Sequence, residues 1–175
     1  MKLYIFIAII FTYMLSFANK ENAAKIGSLN VIYSAPISQY ISPRNDCAEL
    51  STYMALKYFD KSVNISDCVN FFQSFPERPF SFLDLLVALD HFCLNAKGVK
   101  FSDKEDIFKI KHVAFILHLK TSKNTGTTDH FVFCFKDSHN KLWMADLSLG
   151  ENVIEFSNKS MAFLLWDGNA LIIEE

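Results

Sequence analysis

The chain has no run of basic residues and no zinc-type spacing of cysteine and histidine. The first absence argues against a nucleic-acid partner and the second against a metal site. Nothing in the pattern implies a cofactor. Repeats, linkers and low-complexity stretches are also missing, so 175 residues read as one domain with a core of its own. Charge is nearly balanced, at 17 basic against 19 acidic residues. The strong bias is apolar. The chain is 51% hydrophobic with 18 Phe, which excludes disorder as its native state.

The N-terminus accounts for part of that bias. Met1-Lys2 is a short basic start, Leu3 to Leu15 is an apolar stretch, and Ser16-Phe17-Ala18 supplies small residues where a signal peptidase reads. This pattern predicts a secretory signal over residues 1–18, with Asn22-Ala23-Ala24 as a second cleavage site. Left uncut, the segment is short for a full span but serves as a membrane tether. Either outcome places the domain outside the cytoplasm, periplasmic or secreted. Residues 19–40 read as an extended lead-in containing Pro36, and residues 41–175 as the domain.

Within the domain, Asn45 and Asp46 are helix-capping residues, and Cys47, Leu50, Ser51, Met54 and Tyr58 mark one face of a helix ending near Tyr58. A cap cluster over Val63–Asp67 leads into a second helix at Cys68–Phe72. Ser81 caps a third, with Phe82, Leu85, Leu86, Leu89 and Cys93 as its buried stripe and Asn95 and Gly98 as its end. The pattern then changes. Lys97–Phe101 reads as a strand, Asp103–Ile110 as a helical turn and His112–Leu119 as a strong strand. His130–Phe135 and Lys141–Asp146 follow as strands, joined by the Asp137–Asn140 turn. Asn152–Phe156 is a further strand. Ser157 or Asn158 caps a last helix to Trp166, and Asp167-Gly168 turns into a closing strand, Ala170–Ile173. Helices first and an antiparallel meander after them predict an α+β fold, a helical lobe packed on a sheet.

Cys47 falls in the first turn of its helix. Unpaired backbone N–H groups and the positive end of the helix dipole favour a thiolate there, which suits a nucleophile. The same place also suits a small buried residue opening a core helix. A thiol nucleophile needs a base, and the base needs an orienting group. Of the five histidines, His130 stands at the junction of a polar loop and an apolar strand. His118 lies inside a strand and fits a core role equally well. Asp146 is the acid at the end of the strand facing His130. Cys68 and Cys93, on consecutive helices, form a candidate disulfide if their Cα atoms are close enough. Cys134 alternates with Val132 on a buried strand and reads as packing.

Asn45-Asp46-Cys47 opening a helix through Met54-Ala55-Leu56-Lys57-Tyr58 resembles the catalytic helix of the double-glycine leader peptidases, a papain-like cysteine peptidase family that processes bacteriocin precursors. Val63–Asp67, Phe82–Val99, His130-Phe131-Val132-Phe133 and Met144-Ala145-Asp146 resemble its later segments in order and separation. The resemblance implies a papain-like fold with Cys47 as nucleophile, His130 as base and acid, and Asp146 as orienting group. It also implies a peptide or protein precursor as substrate, cut after Gly-Gly. Three positions depart from the family. Ile41 stands where the oxyanion glutamine is usual, leaving Gln39 and Asn45 as oxyanion candidates. Ala48 replaces the glycine after the cysteine, and Leu147 replaces the proline after the aspartate. An alternative follows from these departures: a peptidase-like domain that has lost turnover and binds a partner peptide or assembly factor.

Overall fold

The computed structural model describes residues 47–76, 78–111, 114–120, 130–146 and 151–174. The signal segment, the lead-in, Gln39, Ile41, Asn45, Asp46, the 121–129 loop and Leu147 lie outside the described residues.

Three helices come first: α1 Cys47–Tyr58, α2 Ile65–Gln73 and α3 Phe82–His91. Local chemistry sets their starts. Asn64 and Asp67 form a capping box at α2, as do Ser81 and Asp84 at α3. Asp84 also takes a bidentate pair from Arg78 at 2.7 Å, which fastens the preceding turn to the helix. The cap at α2 is Asn64, so this helix begins earlier than the apolar spacing indicated. α3 stops at His91, and Cys93 turns the chain in the left-handed region at φ 59°. Asn95 therefore begins strand β1, Asn95–Lys100, rather than ending the helix.

A short 3₁₀ helix, Lys104–Phe108, leads to β2 Ala114–Leu119. β3 His130–Lys136, β4 Leu142–Asp146 and β5 Glu151–Glu155 follow, then α4 Met161–Leu165 and β6 Trp166–Glu174. The sheet order is β1-β6-β2-β3-β4-β5, with every neighbour antiparallel. Only β2 to β5 form the expected meander, because β6 returns to fill the gap between β1 and β2. Asp167 and Gly168 lie inside β6 rather than in a turn before it. The pairing with β2 shifts register between Leu117 and Leu119, and Gly168 sits there at φ 88°. A Cβ on Gly168 would meet the Phe101 carbonyl oxygen at 3.0 Å, so the strand runs through a bulge that only glycine fits. α4 is capped by Ser160, whose hydroxyl accepts from the Phe163 N–H, rather than by Ser157 or Asn158.

The central strands are buried on both faces and read as unbroken apolar runs for that reason. Phe131, Phe133 and Phe135 of β3 join Ile116 and Leu171 under the helices. Val132 and Cys134 join Phe115, Leu117 and Ile172 on the other face, beneath Ile107, Phe156 and Phe163. α1 packs on β3 from one side and is covered by α2 and α3 on the other. Its burial is therefore almost all round rather than a single stripe, and includes Glu49, Ser51 and Thr52. The Thr52 hydroxyl has no hydrogen-bond partner among the described residues. A buried, unsatisfied hydroxyl is unfavourable, so Thr52→Val is expected to stabilise the fold by about 1 kcal/mol. Chemical denaturation would show this as a higher midpoint at unchanged slope.

Candidate active site

The start of α1 meets the start of β3 and the end of β4. Cys47 is half-buried there. His130 opens β3, and its Nε2 lies 2.9 Å from Asp146 Oδ2. The Asp137 turn explains the meeting. The Asp137 N–H donates to the Lys141 carbonyl, and the hairpin register pairs Phe133 with Ala145. That register sets Asp146 level with Val132, one diagonal step from His130 on the same side of the sheet and within side-chain reach of it. Asp146 is buried, with a side chain 4% exposed, so its charge acts on the imidazole with little screening.

Cys47 also stands close enough to His130 to bear on its proton affinity. Burial alone would lower that affinity, but Asp146 and Cys47 outweigh burial and raise it from 6.5 to about 9. With Nε2 committed to Asp146, Nδ1 is the ring nitrogen left for the thiol. The three side chains thus stand in order, sulfur beside ring and ring bonded to carboxylate, an arrangement that suits passing a proton between sulfur and ring.

The other cysteines differ in kind. Burial, helped by Glu49 and Asp67, pushes the Cys68 thiol up to about 12, and its sulfur donates weakly to the Glu49 carbonyl at 3.6 Å. Burial also holds Cys134 well above the ordinary range, which fits its packing role. Cys68 and Cys93 are both free thiols, contrary to the disulfide expected from their places on consecutive helices. Cys68 points inward toward α1, while Cys93 is exposed on the turn beyond α3.

Three more histidines have defined surroundings, while His112 lies outside the described residues. His118 is paired through Nδ1 with Asp167 Oδ2 at 2.8 Å, and its ring lies near those of Phe82 and Phe131. The core alternative for His118 thus has a carboxylate partner that the sequence disguised, because Asp167-Gly168 looked like a turn. Asp167 is held below the usual carboxylate range. Burial opposes this, but the Asn169 N–H and His118 outweigh it. His91 is stacked on Phe71, and His139 lies exposed in the β3–β4 turn. Among the described residues, no group of three or more His, Cys, Asp or Glu side chains is placed to hold a metal ion.

The fold has solved counterparts. The peptidase domain of Streptococcus ComA, a bi-functional ABC transporter involved in quorum sensing, superposes with a TM-score of 0.60 at 16% identity, covering 76% of this chain and 93% of that one. A double-glycine-motif protease from an AMS/PCAT transporter, solved with its leader peptide, gives 0.56 at 20% identity, covering 73% and 82%. The Streptococcus mutans ComA peptidase domain gives 0.52 at 17% identity, covering 77% and 95%. No curated protein matches. The Peptidase C39 family model matches residues 38–175, which span the helical lobe, the sheet and the Cys47–His130–Asp146 cluster. The chain belongs to the Peptidase C39 family, the double-glycine peptidases, and has its papain-like α+β fold.

Proposed function

We propose that the chain is an extracytoplasmic cysteine peptidase that cuts exported peptide or protein precursors after a Gly-Gly pair. The observation that carries this reading is the His130–Asp146 pair at 2.9 Å with Cys47 beside the ring, at the N-terminus of a buried helix. Family membership supports peptide-precursor cleavage, and the leader peptide bound to the AMS/PCAT relative supports a substrate of that kind. The signal-like segment at residues 1–18 supports the location, with the uncut segment as a tether to the membrane.

In this reading, Cys47 Sγ attacks the substrate carbonyl carbon and forms a C–S bond. The carbonyl oxygen takes up negative charge, which backbone N–H groups in the first turn of α1 are placed to stabilise. Gln39 or Asn45 supplies the side-chain donor. As the peptide C–N bond breaks, His130 gives its proton from Nδ1 to the leaving amine. Neutral His130 then takes a proton from water, and the hydroxide oxygen attacks the thioester. The C–S bond breaks, restoring thiolate and imidazolium. Asp146 keeps Nε2 protonated and the ring oriented throughout.

A second reading, a domain that binds peptide without turnover, draws on Ile41 in the oxyanion position and on Glu49, whose carboxylate is buried two residues beyond the thiol. A synthetic precursor with a Gly-Gly junction separates the two. The peptidase reading expects one cut after the pair by the wild-type chain and none by Cys47→Ala. Equal binding by both proteins with no cut by either would establish the second reading.

A further inference from the structure

Ser51 stands one helical turn after Cys47 and on the same face of α1. It is 1% exposed. A serine inside a helix is locally less favourable than alanine, and its hydroxyl commonly bonds back to its own helix. This hydroxyl crosses to the sheet instead. Ser51 Oγ donates to the carbonyl oxygen of Phe131 at 3.0 Å, joining residues 80 apart in the chain. Phe131 directly follows His130. The bond therefore closes a loop: Cys47, one turn of helix, Ser51, the Phe131 backbone, His130, and back to Cys47 where the thiol stands beside the imidazole.

Two sides of this loop are stiff. One is a turn of a buried helix. The other is a strand paired to β2 beside His130. The adjustable side is the contact between helix and sheet. Further along the helix that contact includes ring packing, as where Tyr58 meets Phe133 and Phe135 at ring separations of 5.7 and 5.3 Å. Apolar packing is non-directional and leaves sliding along the helix axis weakly resisted. A hydrogen bond fixes direction and length.

We propose that Ser51 is a positioning residue of the peptidase site, its hydroxyl setting the distance between the Cys47 sulfur and the His130 ring by tying α1 to the Phe131 backbone. The inference rests on the peptidase reading above. Displacement of a reacting group by about 1 Å can lower a rate by ~10²-fold. Loss of the Ser51 bond is therefore expected to act on thiol reactivity more than on folding.

The test is alkylation of the intact chain by iodoacetamide at pH 6, with each site mapped by mass spectrometry and exposed Cys93 as the internal reference. Ser51→Ala is expected to lower the Cys47 rate about 10- to 100-fold toward that of His130→Ala, and Ser51→Thr to restore it. Thr52→Val, which removes a neighbouring buried hydroxyl with no described partner, is expected to keep the wild-type rate. A folded Ser51→Ala chain that alkylates at the wild-type rate overturns the proposal, as does an equal loss in Thr52→Val. If Ser51→Ala does not fold, Ser51→Thr and Ser51→Val decide, being alike in shape and differing in the hydroxyl. A fast Thr and a slow Val support the proposal, and equal rates sink it. A wild-type Cys47 whose rate ignores His130 would instead remove the peptidase reading on which the proposal rests.

Discussion

His130→Ala is expected to lower precursor cleavage by on the order of 10⁴-fold or more, because the ring serves both halves of the reaction. It balances the thiolate during attack and protonates the amine that leaves. A second effect is on stability. The proton affinity of His130 is raised from 6.5 to about 9 in the fold, where burial lowers it and Asp146 and Cys47 more than compensate. A histidine raised in this way contributes stability that is fully present below its unfolded value near 6.5. That contribution declines as pH rises and is gone once pH passes about 9. Its size is on the order of 3 kcal/mol. Wild-type stability should therefore fall between pH 6.5 and 9 relative to His130→Ala, which lacks the titrating group. Urea titrations of both proteins across that window check the sign. Parallel pH profiles would mean that His130 does not hold its extra proton in the fold.

Asp146→Asn should cost on the order of 10²- to 10⁴-fold in kcat/KM while leaving the hairpin intact. Asp146 Oδ2 is 2.9 Å from His130 Nε2, and the carboxylate is buried between strands. An amide of the same shape keeps the packing but removes the charge, and its NH₂ group can present a donor where an acceptor is needed. With that support gone, burial pulls the His130 proton affinity down from about 9. Following the His130 ring by proton NMR against pH reads this directly. A ring that titrates unchanged in Asp146→Asn would show that the carboxylate does not set the charge of the imidazole.

Much of this site is legible in the sequence, because it sits at element ends. Cys47 opens a helix, His130 opens an apolar strand and Asp146 closes one. Polar residues at such junctions stand out against apolar runs. The Asp137–Asn140 turn fixes the hairpin register, so the approach of residue 130 to 146 follows from a local signal. What the sequence hides is set by long-range packing. The apolar period of α1 suggests one buried stripe, but helices on one side and the sheet on the other bury Thr52 and Glu49 as well. β6 runs between β1 and β2 because a bulge at Gly168 lets Asp167-Gly168 continue a strand, although that dipeptide reads as a turn. The same misreading hides the partner of His118. Two cysteines on consecutive helices suggest a bridge, but helix order carries no information about which way each thiol points.

The most direct test of the central claim is the rate at which iodoacetamide alkylates Cys47 at pH 6, beside exposed Cys93, in wild type and His130→Ala. An ordinary thiol, with a value near ~8.5, is almost wholly protonated at that pH and reacts slowly. A Cys47 held in an ion pair with His130 reacts faster than Cys93 at pH 6, and His130→Ala abolishes the difference. A Cys47 that reacts no faster than Cys93, and equally in both proteins, would contradict the account.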